Sequence, residues 1–129
     1  MSQENLELVR RGIESVEAFW ALLDEDVVWD MREMPLPDRP DVMVGRDTVI
    51  EGSRHYWGTW DEYRIDAEEL IDAGSSVVVV VRERGSGRGS GIPFDRRWAQ
   101  VWTFGQGRIT RWGLFQDKAA ALEAAGLRE

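Results

Sequence analysis

Trp98-Ala-Gln-Val-Trp-Thr-Phe104 runs into Gly105-Gln-Gly107 and then into Arg108-Ile-Thr-Arg-Trp-Gly-Leu-Phe-Gln116. The glycine pair marks a tight turn, so a strand over Phe94–Phe104 and a last strand over Arg108–Gln116 form a hairpin. Just upstream, Val77–Val81 is five valines in a row, the β-branched run of a strand buried on both faces. Gly85-Ser-Gly-Arg-Gly-Ser-Gly91 connects that run to Phe94. It is not a phosphate loop, because neither Lys-Ser/Thr nor a helix follows it. Before the valines, Tyr63–Leu70 alternates in part, as a further strand would.

The N-terminal half reads differently. Leu6, Val9, Ile13, Val16, Phe19, Trp20 and Leu23 recur at helical spacing, so residues 3–23 are expected to be helix. Ser2 or Asn5 could cap its start, and Gly12 predicts a break near residues 12–15. Val27-Val-Trp-Asp-Met31 starts a strand. Met34-Pro-Leu-Pro-Asp-Arg-Pro40 must be a loop. Residues 46–60 look helical, with Val49, Ser53, Tyr56, Trp57 and Trp60 on one face. Asp117-Lys-Ala-Ala-Ala-Leu122 reads as a helix capped by Asp117. Segregated helices followed by an antiparallel run imply an α+β fold: one curved sheet around the helices.

Composition narrows the chemistry. The 129 residues suit a single domain. There is no cysteine, which removes disulfides, thiolate nucleophiles and most structural zinc. One histidine, His55, offers no metal cluster and makes a serine triad a poor fit. Neither cofactor nor metal is expected. A net charge of −8 argues against nucleic acid. The acids crowd residues 1–72, which hold 19 acids and 7 bases, against 5 and 9 in residues 73–129. No run approaches the ~20 apolar residues of a membrane span, and the polar, acidic start differs from a signal peptide. Cytoplasmic residence is the expectation.

Several phrases carry a resemblance over nearly the whole chain. They are Ala21-Leu-Leu-Asp-Glu-Asp-Val-Val-Trp29, Glu69-Leu-Ile-Asp-Ala-Gly74, Trp98–Phe104, Gly107-Arg-Ile-Thr-Arg-Trp112 and Ala121-Leu-Glu-Ala-Ala-Gly-Leu127. With them the chain resembles the nuclear-transport-factor-2-like superfamily, and within it the SnoaL-like group that includes polyketide cyclases. The resemblance implies one domain over residues 1–129. It implies a cone: a strongly curved, mostly antiparallel sheet around about three N-terminal helices, an apolar pocket open at the wide end, and a short C-terminal helix. The usual Gly-Asp linker between the first two helices is missing here. The fold hosts many chemistries, so it does not by itself define one.

Alignment with ketosteroid isomerase puts that enzyme's base position at Met31, its oxyanion-hole Asp at Gln100 and its helix Tyr at Gly12. None of the three can do the same acid–base work, so that mechanism is rejected. The Asp–Arg–Asp group of limonene epoxide hydrolase-like relatives and the paired His and acids of scytalone dehydratase-like sites have no counterpart either.

The same alignment, with strand alternation, predicts the pocket walls. They are Trp29 and Met31; Trp98, Gln100 and Trp102, with Arg96 at the mouth; Trp112, Leu114 and Gln116; and Tyr56, Trp57 or Trp60 from the second long helix. Indoles would hold a flat apolar or aromatic ligand, and Gln100 and Gln116 would be its polar anchors. No ionisable side chain is expected among the indoles. The alternative is that seven tryptophans simply fill the core. Asp30, Glu33 and Asp117 are the remaining candidates for proton transfer. The primary reading is a small-molecule-binding domain, with cyclase or isomerase chemistry by positioning alone. The alternatives are a non-catalytic dimeric domain with a self-filled pocket, and an acid–base lyase or isomerase using Asp30, Glu33 or Asp117. Homodimerisation is implied by the resemblance, through an outer patch of Ala99, Val101 and Thr103 flanked by Arg97. A ligand site requires ~300–1,000 Å³.

Overall fold

The computed structural model describes residues 2–35 and 39–127. The centre of the proline-rich loop, residues 36–38, lies outside the described residues.

Helix α1 spans Ser2–Gly12 and α2 spans Val16–Leu22, so the break falls where Gly12 predicts it. Ser15 starts α2, its Oγ accepting from the Ala18 amide at 3.0 Å. Asn5 is no cap: it lies within α1 and donates to the Gly74 carbonyl at 3.1 Å. Strand β1, Leu23–Asp30, begins without a linker, because Leu23 already has extended backbone. A short edge strand β2, Val42–Val44, precedes α3, Arg46–Gly58. Then come β3, Trp60–Asp72; β4, Ser76–Gly87; β5, Pro93–Gly105; β6, Arg108–Phe115; and α4, Lys118–Ala124. Trp60 therefore opens a strand rather than continuing the helix.

The six strands form one sheet in the order β2-β1-β6-β5-β4-β3. Among the described residues only β1 and β6 pair in parallel, with Trp29 beside Trp112. The β5–β6 turn puts Gln106 and Gly107 at φ 53° and 78°. Two successive left-handed residues match the sheet's twist, and glycine takes the second without steric cost.

Alternation divides the apolar residues between two cores. Val77, Val79 and Val81 join Val9, Phe19, Val49 and the central indoles on the inner face. Val78, Ala99 and Val101 lie on the outer face, beneath Ala121 and Leu122 of α4. Fully burying each such valine or leucine side chain stabilises by about 1.5–3 kcal/mol. This second core corrects the expected docking patch. Ala99 and Val101 are 0% and 7% exposed, covered by the chain's own C-terminal helix. Thr103 hydroxyl pairs with Ser76 at 3.0 Å. Asp117 caps α4 as expected, accepting from the Ala120 amide at 2.8 Å.

Candidate ligand-binding interior

The inner face encloses two adjoining spaces. The deeper is a chamber of about 40 Å³, bordered among others by Trp29, Tyr56, Trp98, Gln100, Trp112 and Leu114. Its volume suits one or two small groups rather than a whole ligand. The larger is a cleft of about 440 Å³ between the α1–α2 turn and strands β3 and β4. Gly12, Phe19, Ala67, Val79 and Trp102 border it, and Trp57, Ile65, Gln100 and Trp112 border both spaces. The cleft falls within the range of small-molecule sites. Its rim carries Ile13, Val16 and Ile65, which are among the exposed large apolar side chains.

Five of the seven indoles thus face these spaces. Trp29 stacks on Trp112 with ring centres 4.5 Å apart and planes at 9°. Phe19 sits edge-on to Trp112 at 4.7 Å and tilted against Trp102 at 4.9 Å. Gln100 ties this layer together. Its Oε1 accepts from Trp102 Nε1 at 2.7 Å and from Trp112 Nε1 at 3.1 Å.

One finding corrects the sequence reading. A carboxylate does stand among the indoles. Glu83 of β4 is fully buried. Its Oε1 accepts from Arg96 Nε at 2.7 Å and Trp98 Nε1 at 3.2 Å. Its Oε2 accepts from the hydroxyls of Tyr56 at 2.7 Å and Tyr63 at 2.5 Å. Arg96 also donates to the Tyr56 hydroxyl at 3.0 Å. Parity could have found Glu83, since it continues the inward series Val77, Val79, Val81 and pairs across the sheet with Arg96. With four donors on two oxygens, Glu83 must break a bond before it can take a proton from a ligand. Burial, reinforced by the Glu83 charge, pushes both phenols well above their ordinary range, while Arg96 works the other way on Tyr56. The cluster therefore holds Tyr56, Tyr63, Arg96 and Trp98 in place along the chamber wall.

The three proton-transfer candidates stand elsewhere. Asp30 points to the outside, chelated by Arg32 at 2.7 Å and Arg111 at 2.5 Å. The Arg32 hydrogen bond, with Arg111 helping and burial opposing, holds its carboxyl well below the usual carboxylate range. Glu33 is exposed, and Asp117 is exposed and engaged as a cap. None of them borders the chamber or the cleft.

Three predicted wall residues also fall outside both spaces. Met31 is wholly buried in the core. Trp60 packs on Phe94 at 4.7 Å and Tyr56 at 5.9 Å. Gln116 is exposed and donates to the Glu33 carbonyl at 3.2 Å, because β6 ends at Phe115 and the chain turns into α4. His55 is exposed. Sequence reading missed Met34 and Tyr63 on the chamber, and Asp66 on the cleft. Burial opposes ionisation of Asp66, but Arg64 and Arg84 outweigh it and hold its carboxyl below the usual range. Among the described residues no group of three His, Cys, Asp or Glu could hold a metal ion, and no helix is long and apolar enough to cross a membrane.

A curved sheet around three helices, with one indole-lined interior, defines the class of α+β cone proteins. The chain belongs to the SnoaL-like domain family, which matches residues 7–112. It is similar to an NTF2-like protein of unknown function from Burkholderia pseudomallei. That likeness has 25% identity and a TM-score of 0.76, over 93% of this chain and 95% of that one. It is similar to a protein described as a SnoaL-like polyketide cyclase from a Jannaschia species, at 17% identity and a TM-score of 0.74, over 96% and 92%. It is also similar to TerC, which was co-crystallised with polyporic acid, at 22% identity and a TM-score of 0.73, over 95% and 98%. The last two likenesses bear on the fold alone. No curated protein matches the sequence.

Proposed function

We propose that the protein binds a small, largely apolar, aromatic molecule in the cleft, laid against Trp57, Trp102 and Trp112. The observation that carries this reading is the cleft itself: about 440 Å³, walled by indoles and rimmed by exposed Ile13, Val16 and Ile65. Family membership supports a small-molecule pocket. Any reaction here is cyclase- or isomerase-type chemistry by positioning, since each carboxylate near the interior is already hydrogen-bonded. Cytoplasmic residence belongs to the same proposal.

Tryptophan fluorescence during titration with a panel of bicyclic and tricyclic aromatics tests it. Saturable change for at least one member is the expected result. A flat response across the panel removes the binding reading.

One observation favours a second reading, a non-catalytic dimeric domain with a self-filled interior. The deep chamber holds only about 40 Å³. That reading requires a dimer at micromolar concentration by light scattering, together with no response in the fluorescence titration.

A further inference from the structure

We infer that Trp57 determines which ligands fit: its indole narrows the passage from the cleft into the deep chamber, so that only a methyl-sized group on the ligand passes. This rests on the binding reading above and specifies the shape of its ligand, a flat ring system with no more than a small substituent at its inner end.

Among the described residues, Trp57, Ile65, Gln100 and Trp112 border both spaces. They come from two sides. Ile65 of β3, Gln100 of β5 and Trp112 of β6 belong to the sheet, whereas Trp57 belongs to the last turn of α3. Where the two spaces meet, sheet bounds one side and a single indole the other.

The sheet side is fixed. Gln100 Oε1 is tied to two indoles, and Trp112 is stacked on Trp29 and met edge-on by Phe19. Ile65 is paired with Glu83 across the β3–β4 ladder. Trp57 is half-buried and buttressed from its own side. Trp20 stacks on it with ring centres 6.1 Å apart and planes at 29°. Trp20 is itself held by Ser53 Oγ at 3.0 Å and covered by the Arg54 guanidinium at 5.1 Å. The Trp57 side chain also engages the Tyr63 phenol, whose hydroxyl is bound to Glu83. A branched group pushed past this ring meets a packed wall, and overpacking is unfavourable.

The two volumes set the ligand's proportions. A ring system fits the cleft of about 440 Å³, and the chamber of about 40 Å³ has room for one small group. Ser15 and Asp66 border the cleft and not the chamber, so a hydroxyl on the ligand finds polar neighbours at the cleft end.

Calorimetric titration with 2-naphthol, 6-methyl-2-naphthol and 6-tert-butyl-2-naphthol tests this. The wild type should bind the methyl compound about four-fold more tightly than 2-naphthol, the gain from burying one methyl group. The tert-butyl compound should gain nothing over 2-naphthol. Trp57→Leu widens the passage without touching the sheet, so the tert-butyl compound should become the tightest of the three, by about ten-fold over 2-naphthol. Trp57→Phe should move the order in the same direction by less, which preserves the test if the leucine variant fails to fold. The ratios within one protein carry the result, because a merely structural role for Trp57 would weaken all three ligands alike. An order of affinities that is the same in the wild type and the Trp57 variants overturns this inference and leaves the binding reading standing. Absence of binding by all three to the wild type removes the two together.

Discussion

Gly12 and Trp102 occupy one another's space: a Cβ on Gly12 would stand 2.9 Å from Cζ3 of Trp102 and 2.9 Å from Cδ1 of Leu22. The helix break at this point thus lets α1 end directly against the indole layer. Trp102 cannot retreat easily, because Gln100 holds its nitrogen and Phe19 packs on its ring.

Gly12→Ala sets two effects against each other. Alanine favours the helix by ~1 kcal/mol, and overpacking against a pinned ring costs ~1–3 kcal/mol. Net destabilisation of about 1 kcal/mol is expected from urea denaturation. A stabilised variant would mean that the Trp102 ring moves freely.

Glu83 anchors two tyrosines, an arginine and an indole to one buried carboxylate. Glu83→Gln removes the charge that pairs Arg96 and leaves buried donors short of acceptors. The loss is expected to be on the order of 3 kcal/mol. The denaturation midpoint should drop with little change in slope. A midpoint equal to the wild type's refutes the clamp.

The two tyrosines, Tyr56 and Tyr63, are the only ones in the chain, so their titration can be read without ambiguity. Both phenols are held above the ordinary ~10 in the folded state. A raised folded-state value stabilises fully below pH ~10 and loses that contribution as pH climbs. Tyrosinate absorbance should therefore appear only together with alkaline unfolding. Tyrosinate forming near pH 10 in folded protein contradicts the hydrogen bonds to Glu83.

Asp30 works in the opposite pH direction. Its folded-state carboxyl is depressed, first by Arg32, so its contribution is present above the unfolded value near ~3.9 and fades as pH falls further. Asp30→Asn is expected to cost ~1–2 kcal/mol at pH 7 and progressively less below pH ~4. Stability curves of the variant and the wild type that stay parallel down to pH 2 would argue against the Arg32–Asp30–Arg111 arrangement.

The strand parity of Trp98, Gln100, Trp102, Trp112 and Leu114 could be read in advance, because alternation survives any curvature of the sheet. So could the Asp117 cap and the break after Gly12, which depend on local chemistry alone. Gln116 failed because parity holds only while the strand lasts, and β6 ends one residue earlier. Trp60 failed through a misplaced boundary between helix and strand. Ala99 and Val101 carried no sign of what would cover them, since the contact with α4 is tertiary. Glu83 was hidden differently. A charged residue two places beyond a valine run reads as a strand end, although its parity with Val77, Val79 and Val81 and its pairing with Arg96 keep it inside.

The most direct test of the ligand cleft is to fill it. Ala67 of β3 borders the cleft and packs against the core. Ala67→Phe should abolish the saturable fluorescence response to the aromatic panel while leaving the far-ultraviolet circular dichroism unchanged. Undiminished binding by the folded variant would place the ligand elsewhere and contradict the account.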